Sequence, residues 1–547
     1  MNPPRRRVLM LYPAFPGTYW GLQYVLPLMG KKAYMPPLGL ITIAAMLPPE
    51  FEVRLRDLNC EPVSDDDIAW ADVCFLSAMI TQKQGLIALA RRCMQAGKPV
   101  VMGGPFPTMS PDECAPWCTT IVAGEAEAVW DRFLDDLIHD RLQARYSSDE
   151  KPDVTRTPVP RFDLLNIRHY LSMPIQFSRG CPFRCEFCDI IVMFGRRPRT
   201  KTPDQMVREL EALKHAGYRG EIFVVDDNFI GNKKNVRQLL PVLQKWNDDH
   251  ARIFEFGTEA SVDLGEHEDL MEQMVRCGFR WVFLGIETPS KEGLKEALKF
   301  QNLKEPLTTT VDKIRAAGLQ VSAGFIIGFD SDTADVFDRQ LEFIAEAGIA
   351  LAMVGLLIAL NGTPLYDRMK ATGRLLEPAP DMDIDHCGYT NIQTTLPRRA
   401  LLEGYRRVML TLYSPDTYFE RSFQTLVRSA RPTSLLTGAV DVWLGIRRNL
   451  QRLMAAQQGN RARRLLSALG AFGGMLKSLP TDFRRSYLRF TLRVLRRRPD
   501  LLGGTLEMMM YGYHFNRFTV ERVLPQLDAE LARLEAVSGG QHLAVAG

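Results

Sequence analysis

Ser178-Arg179-Gly180-Cys181-Pro182-Phe183-Arg184-Cys185-Glu186-Phe187-Cys188-Asp189 sets three cysteines at C-x3-C-x2-C spacing behind the apolar run Met173 to Phe177. The run reads as a buried strand, so the cysteines occupy the loop that follows it. Three thiolates on one short loop hold three corners of a 4Fe–4S cluster and leave the fourth iron open to an outside ligand. The next cysteine, Cys277, is too distant to belong to the loop. A structural zinc site is the alternative, but zinc ligands come in pairs such as C-x2-C or H-x3-H, and no second pair follows.

Beyond the loop, helix and strand alternate. The pattern predicts helices over 203–216, 234–248, 267–277 and 303–317, and strands over 221–225, 254–257, 281–286, 321–327 and 351–359. With the cysteine strand this makes six βα units, a partial (βα)6 barrel. Catalytic groups of such barrels collect where the strands end. The strands here end in Asp226-Asp227-Asn228, in Thr258-Glu259-Ala260-Ser261, in Glu287, in Gly328-Phe329-Asp330 and in Asn361-Gly362-Thr363-Pro364. A strand-end carboxylate alone is often only a helix cap. Arg196, Arg197, Arg199 and Lys201 read as a solvated loop rather than as a steering patch for an anionic substrate.

The cysteine spacing, with an aromatic before the last cysteine, resembles the radical S-adenosylmethionine (radical SAM) superfamily. Asp226 and Asp227 stand where that superfamily often has Gly-Gly-Glu. Gly324-Phe325-Ile326-Ile327-Gly328-Phe329-Asp330 resembles its G-x-I-x-G-x-x-D segment. The resemblance implies that SAM chelates the open iron. Asp226, Asp227 and Asn228 would then face its ammonium, Glu259, Ser261 and Glu287 its ribose and methionyl parts, and Gly324, Gly328 and Asp330 its adenine.

The first 150 residues order as strand, helix, strand, helix, which suits a doubly wound, Rossmann-like sheet. Strands are expected at 8–11, 53–58, 73–77, 99–102 and 121–123, and helices at 37–46 and 84–96. No G-x-G-x-x-G follows the first strand. Pro36-Pro37-Leu38-Gly39-Leu40, Asp57-Leu58-Asn59, Gly103-Gly104-Pro105 and Gly124-Glu125 look like the cobalamin-binding domain that precedes many radical SAM cores. The resemblance implies a corrin against Gly103, Gly104, Gly124 and Glu125, with Tyr19, Trp20, Met79 and Gln82 packing on it; a buried aromatic core is the competing reading of the two aromatics. The D-x-H-x-x-G loop of the better-known cobalamin domains is missing, and His139 is the first histidine. Bound cobalamin would lack a protein imidazole.

Residues 376–547 show no strand pattern. In Asp482 to Arg498, Phe483, Tyr487, Phe490 and Val494 share one helical face and Arg485, Arg489, Arg493 and Arg497 another. Leu444 to Met454 and Arg461 to Leu476 repeat the mixture of apolar residues and arginine. From Arg421 to Arg498 there are 17 Lys/Arg and two acids, about +15, whereas the chain nets only +4, which leaves about −11 elsewhere. No nucleic-acid-binding signature accompanies the charge, so no nucleic acid is expected. A solvated face and a membrane-surface face both fit. The arrangement resembles the helical tail of a branch of cobalamin-dependent radical SAM proteins that includes hopanoid methylases, and that likeness covers essentially the whole chain.

Length and composition agree with three domains, taken as 1–150, 151–375 and 376–547. The chain has 547 residues, 46% apolar and 24% charged. Ten scattered cysteines and no signal-like apolar run behind Met1 to Arg7 read as a reduced, cytoplasmic protein. Ala347 to Tyr366 carries no charge, yet its glycines, asparagine and Gly-Thr-Pro turn read as a helix end, a buried strand and a loop. The resemblance as a whole implies a methyltransferase at an unactivated carbon of a hydrophobic small molecule, working through a 5'-deoxyadenosyl radical and methylcobalamin. A flavodoxin- or ferredoxin-like electron donor would serve it. Ring formation or oxidative cyclisation with the same cofactors is the alternative.

Overall fold

The computed structural model describes residues 6–376, 388–429, 476 and 479–544, with side chains to 536. The helices expected at Leu444 to Met454 and, apart from Leu476, at Arg461 to Leu476 lie outside the described residues.

Two parallel six-stranded sheets carry the first two thirds of the chain. The first contains β1 (Arg7–Tyr12), β2 (Glu52–Asp57), β3 (Val73–Ser77), β4 (Val100–Gly103), β5 (Thr120–Ala123) and β6 (Arg145–Ser147), in the order β2-β1-β3-β4-β5-β6. Val8, Leu9, Met10 and Leu11 are all fully buried, as a strand covered by helices on both faces must be. Lys83–Gln95 covers one face through Leu86, Leu89, Ala90 and Cys93, spaced for one helical side. The order reverses between β1 and β3, and ligands of such sheets bind beyond the strand ends at that point. β6 was not expected. Only Tyr146 of its three residues is buried, too little for a visible pattern.

The second sheet runs β14-β13-β12-β11-β10-β7, all parallel, an open (βα)6 barrel. Its strands are β7 (Met173–Ile175), β10 (Gly220–Val224), β11 (Phe254–Ala260), β12 (Phe279–Glu287), β13 (Gln320–Ile327) and β14 (Ala352–Leu356). The helices fall where the pattern put them. Pro203–His215 opens with proline in its first turn and a reciprocal Thr202/Gln205 cap. β14 is shorter than expected, because Thr390 takes the Leu357 carbonyl and Asn391 bonds both the N–H and the carbonyl of Ala359. The uncharged stretch 347–366 is, as read, a helix end, this strand and a turn. No helix among the described residues is long and apolar enough to cross a membrane. A small ribbon, β8 (Ser178–Arg179) against β9 (Arg199–Thr200), ties the base of the cysteine loop; two residues per strand left no sequence signal.

Helices Arg398–Tyr413, Pro415–Arg428, Thr481–Arg497, Leu502–Phe518 and Leu524–Ala544 form the third region. It docks on the outer barrel strand. Tyr405 donates to the Val354 carbonyl at 2.9 Å, Tyr413 to that of Ala352, and Arg421 to that of Ile349 at 3.1 Å. Tyr19 and Trp20 belong to this packing and not to the strand-end cleft of the first sheet. Tyr19 is buried among Tyr413, Phe515 and Phe518 and bonds Thr519 at 2.6 Å. Trp20 packs edge-on to Phe283, closing the barrel floor with Tyr34 and Trp281 around a cavity of about 40 Å³. The corrin role expected for both is therefore corrected: Tyr19 is a buried core aromatic, whereas Trp20, 48% exposed, is neither buried nor on the cleft.

Candidate functional site

The cysteine loop is fixed before any metal is considered. Gly180 has φ +95°, and a Cβ there would stand 2.8 Å from the Gly195 carbonyl oxygen and 3.0 Å from that of Arg197, so only glycine fits. Asp226, fully buried, accepts from Phe177 N at 2.7 Å, Ser178 N at 2.8 Å and Ser178 Oγ at 2.7 Å. Both its oxygens are spent on the strand leading into the loop. This corrects the expectation that Asp226 faces an ammonium ion. Asp227, in the turn that follows, lies instead among Cys181, Glu259 and Asp189, whose charges act with it, and so keeps the mouth.

The three thiols share a pocket under the mouth. Burial raises the pKa of Cys181, Cys185 and Cys188; Cys181 also feels the charge of Cys185, and Cys188 that of both others. Among the described residues no three His, Cys, Asp or Glu side chains already stand at ligand geometry. The donors around the sulfurs suit cluster thiolates. The Asn228 amide donates to Cys181 Sγ at 3.8 Å, and the Gln301 side chain bonds Cys185. Lys299, wholly buried, pairs with Glu287 and acts electrostatically on Cys185 and Cys188. Three thiols, amide donors and a cation fit a thiolate-held cluster, whose sulfurs are tuned by such contacts. Gln301 and Lys299 carried no sequence signal, because they lie beyond the short helix Lys291–Glu296, around the 3-10 turn Phe300–Leu303, rather than at a strand end.

Around the thiols the carboxylates outnumber their cations. Burial, then Glu259, Asp226 and Asp189, hold the Asp227 carboxyl well above its ordinary range. Burial and Glu287 push Glu259 up to about 7, and burial raises Asp189. Among the described residues none of Asp227, Glu259 and Asp189 forms an ion pair. Glu287 reaches the mouth through a register shift in β12 after Gly285, with φ +66°. A non-glycine residue seldom holds that conformation outside functional sites. A half-buried acidic cluster short of cations fits SAM, which brings both a sulfonium and an ammonium.

Other expected SAM contacts are engaged within the protein. Asn228 Oδ1 accepts from Ser261 N and Oγ, both at 3.2 Å, and Ser261 Oγ donates on to Asp263. Asp330 is held by Arg368 at 2.7 Å and Arg374 at 2.5 Å, a correction to its adenine role. Arg368 and Arg374 lie far along the chain and were not foreseen. Gly324 and Gly328 keep open backbone: a Cβ at Gly324 would meet Phe283 at 3.1 Å, and Gly328 has φ +116° while its N–H bonds Asp332 at 2.7 Å.

A cleft of about 450 Å³ lies beyond the ends of β1, β3, β4 and β5, with Gln176, Arg179, Phe194 and Val225 of the cysteine-loop side as its other wall. Met79, Gly103, Gly104 and Gly124 line it. Gly104 has φ +91°, and a Cβ there would stand 2.3 Å from Ser77 Oγ. Gln82 does not line it; its buried amide accepts from Met79 N at 2.9 Å and donates to the Pro13 carbonyl, shaping the Met79 turn. Glu125 is also displaced from its expected role. It is buried under the cleft and takes Arg179 at 2.9 Å and Arg199 at 2.7 Å, clamping the first sheet to the cysteine loop. Arg199 and Lys201, which pairs with buried Glu209, are thus structural and not solvated. No histidine is among the described residues of the cleft. A largely apolar, glycine-floored cleft facing the cluster loop fits a corrin held without imidazole.

Comparison with known proteins agrees with this layout. The radical SAM superfamily matches residues 175–350, the B12 binding domain 31–134, and a domain of unknown function, DUF4070, 363–524. An uncharacterized methyltransferase of Synechocystis sp. is 43% identical over 427 residues, covering 78% of this chain and 80% of that one. The hopanoid C-2 methylase of Rhodopseudomonas palustris is 35% identical over 421 residues, 76% and 78% of the two chains. In fold, the chain is similar to the cobalamin-dependent S-adenosylmethionine radical enzyme OxsB with aqua-cobalamin and S-adenosylmethionine bound. That match has a TM-score of 0.58 and 16% identity, over 97% of this chain and 81% of that chain.

Proposed function

The chain belongs to the cobalamin-dependent radical SAM family, whose cofactors are a 4Fe–4S cluster, SAM and cobalamin, and from this we propose that it is a methyltransferase acting at an unactivated carbon of a lipid or other hydrophobic small molecule. The observation that carries the proposal is the shared wall. Arg179 and Phe194, on either side of the cysteines, line the corrin cleft, so the cleft and the cysteine loop share a wall. The hopanoid methylase named above supports the substrate class.

When bound, the cofactors supply one-electron cleavage and a transferable methyl group. Cys181, Cys185 and Cys188 would hold the cluster. Asp227 and Glu259 would attract the two positive charges of SAM, Glu287 being paired with Lys299, with Gly324 and Gly328 leaving room for its adenine. Met79, Gly103, Gly104 and Gly124 would floor the corrin. Arg179, fixed by Glu125 and by Glu127 at 2.8 Å, holds the cleft and loop in register, and the aromatic floor of Trp20, Trp281 and Phe283 excludes water from below.

In this reading residues 1–150 carry cobalamin, 151–375 the radical chemistry, and 376–547 the cover of the barrel floor. An electron donor such as flavodoxin or ferredoxin would reduce the cluster in the cytoplasm, with contact to the inner face of the membrane. The test is anaerobic turnover of the reconstituted protein on a lipid extract with methyl-labelled SAM. Label in an extracted lipid is the expected result. Release of 5'-deoxyadenosine with an unlabelled, altered product would favour cyclisation instead.

A further inference from the structure

The helix Thr481–Arg497 has two apolar faces, and only one is covered. Phe483, Tyr487, Phe490 and Val494 are buried, the first three with ring centroids 5.1–5.7 Å from Phe419. On the opposite side Leu488, Leu492 and Leu495 are 47%, 52% and 47% exposed, which is unusual for three leucines on successive turns. Arg485, Arg489 and Arg496 flank them and are exposed. The only acid of the helix is Asp482, at its start. The four-arginine stripe read from sequence is also revised. Arg493, though exposed, is ion-paired with Glu420 and 4.0 Å over the Phe423 ring, so it ties the helix to Pro415–Arg428. Arg489 reaches Asp416 at 3.5 Å, but both side chains remain mostly exposed.

We propose that Leu488, Leu492 and Leu495, bordered by Arg485, Arg489 and Arg496, are the surface by which this protein lies on an anionic lipid bilayer. The proposal specifies the membrane contact named above and rests on that reading. Leucines of this helix enter the headgroup boundary while the arginines reach lipid phosphates, their stems lying along the apolar surface. Charge decides the occupant. A second copy of the same face would set arginine rows against arginine rows. The segment 430–478 would do the same, since it carries eight Lys/Arg and one acid. That segment is moreover tied to both ends of this helix. It departs after Ser429, whose carbonyl accepts from Arg498 at 2.9 Å, and it returns at Leu479, one residue before the cap residue Pro480. The face itself is an apolar stripe between arginines, which an anionic lipid surface complements and a cationic or neutral partner does not.

The full chain, loaded with cluster and cobalamin, is floated with vesicles of phosphatidylcholine alone or mixed with phosphatidylglycerol. Binding is expected only with the anionic lipid and falls with added salt. The combined variant Leu488→Ser, Leu492→Ser, Leu495→Ser should lose about tenfold in affinity at unchanged net charge, as should Arg485→Glu, Arg489→Glu, Arg496→Glu. Iron and cobalamin content, and release of 5'-deoxyadenosine from SAM in solution, should match the parent in both; these also verify folding. Failure of the parent to float at low salt, or a serine variant that floats as the parent does, overturns the proposal. Neither result touches the methyltransferase reading, which would fail through the label experiment alone.

Discussion

Replacing Asp226 with alanine separates a strap from a ligand. The carboxylate accepts three hydrogen bonds from Phe177 and Ser178 in a site closed to water. Alanine strands two backbone N–H groups, and each buried donor without an acceptor costs about 1–3 kcal/mol. The loss is therefore about 2–6 kcal/mol, concentrated on the residues that lead into Cys181. Asparagine keeps one acceptor oxygen and should be milder, with a pH dependence of known sign. Burial pushes Asp226 up to about 6, above its unfolded value of 3.8, so ionisation is disfavoured in the fold by about 3 kcal/mol. The stability that the protonated group brings is full below the unfolded value and is lost as pH rises through about 6. The deficit of Asp226→Asn should consequently be larger at pH 5 than at pH 8. Guanidinium unfolding of the apo chain, followed by tryptophan fluorescence, and iron per chain after anaerobic reconstitution measure both effects. An alanine variant with the parent's unfolding midpoint and full iron but weakened SAM binding would refute the strap and restore a ligand role.

Replacing Cys181, Cys185 and Cys188 together with alanine should abolish iron uptake and SAM cleavage; iron retained at the parent's level would defeat the assignment. Electron paramagnetic resonance of the cob(II)alamin form should show no nitrogen superhyperfine splitting, since no histidine is described in the cleft; a triplet splitting from one axial nitrogen would count against it. SAM should bind tighter as pH rises through about 7, where Glu259 loses its proton, by about tenfold per unit below that value. Calorimetry in buffers of different ionisation enthalpy should find proton release on binding near pH 6.

The alternation of helix and strand was legible because each element lies between covering layers, and layered packing writes a period into the sequence. The division of labour between Asp226 and Asp227 was not legible, because both lie past the end of β10, where strand periodicity has lapsed. What the pattern cannot carry is partnership across the chain. Asp330 stands at a strand end, one position short of the D of G-x-I-x-G-x-x-D counted from Gly324, and Arg368 and Arg374 claim it from 38 and 44 residues away. Glu125 stands at a strand end as expected, yet Arg179 and Arg199 turn it from a wall of the cleft into a clamp beneath it.

The loop from Tyr12 to Leu38 shows why residue type and location separate. Tyr12 and Pro36 to Leu38 line the corrin cleft at its two ends. Between them the chain leaves the first sheet, passes under the barrel, where Trp20 and Tyr34 close the floor, and meets the helical region through Tyr19 and Thr519. One segment thus touches the cleft, the barrel floor and the third region, and aromatic side chains suit all three surfaces equally well. Composition selects an aromatic for each position because each is apolar with a polar edge. Only the path of the chain decides which surface it meets. That path also joins the cleft mechanically to the helices beneath the barrel, since the strand-end wall and the floor are consecutive parts of one loop.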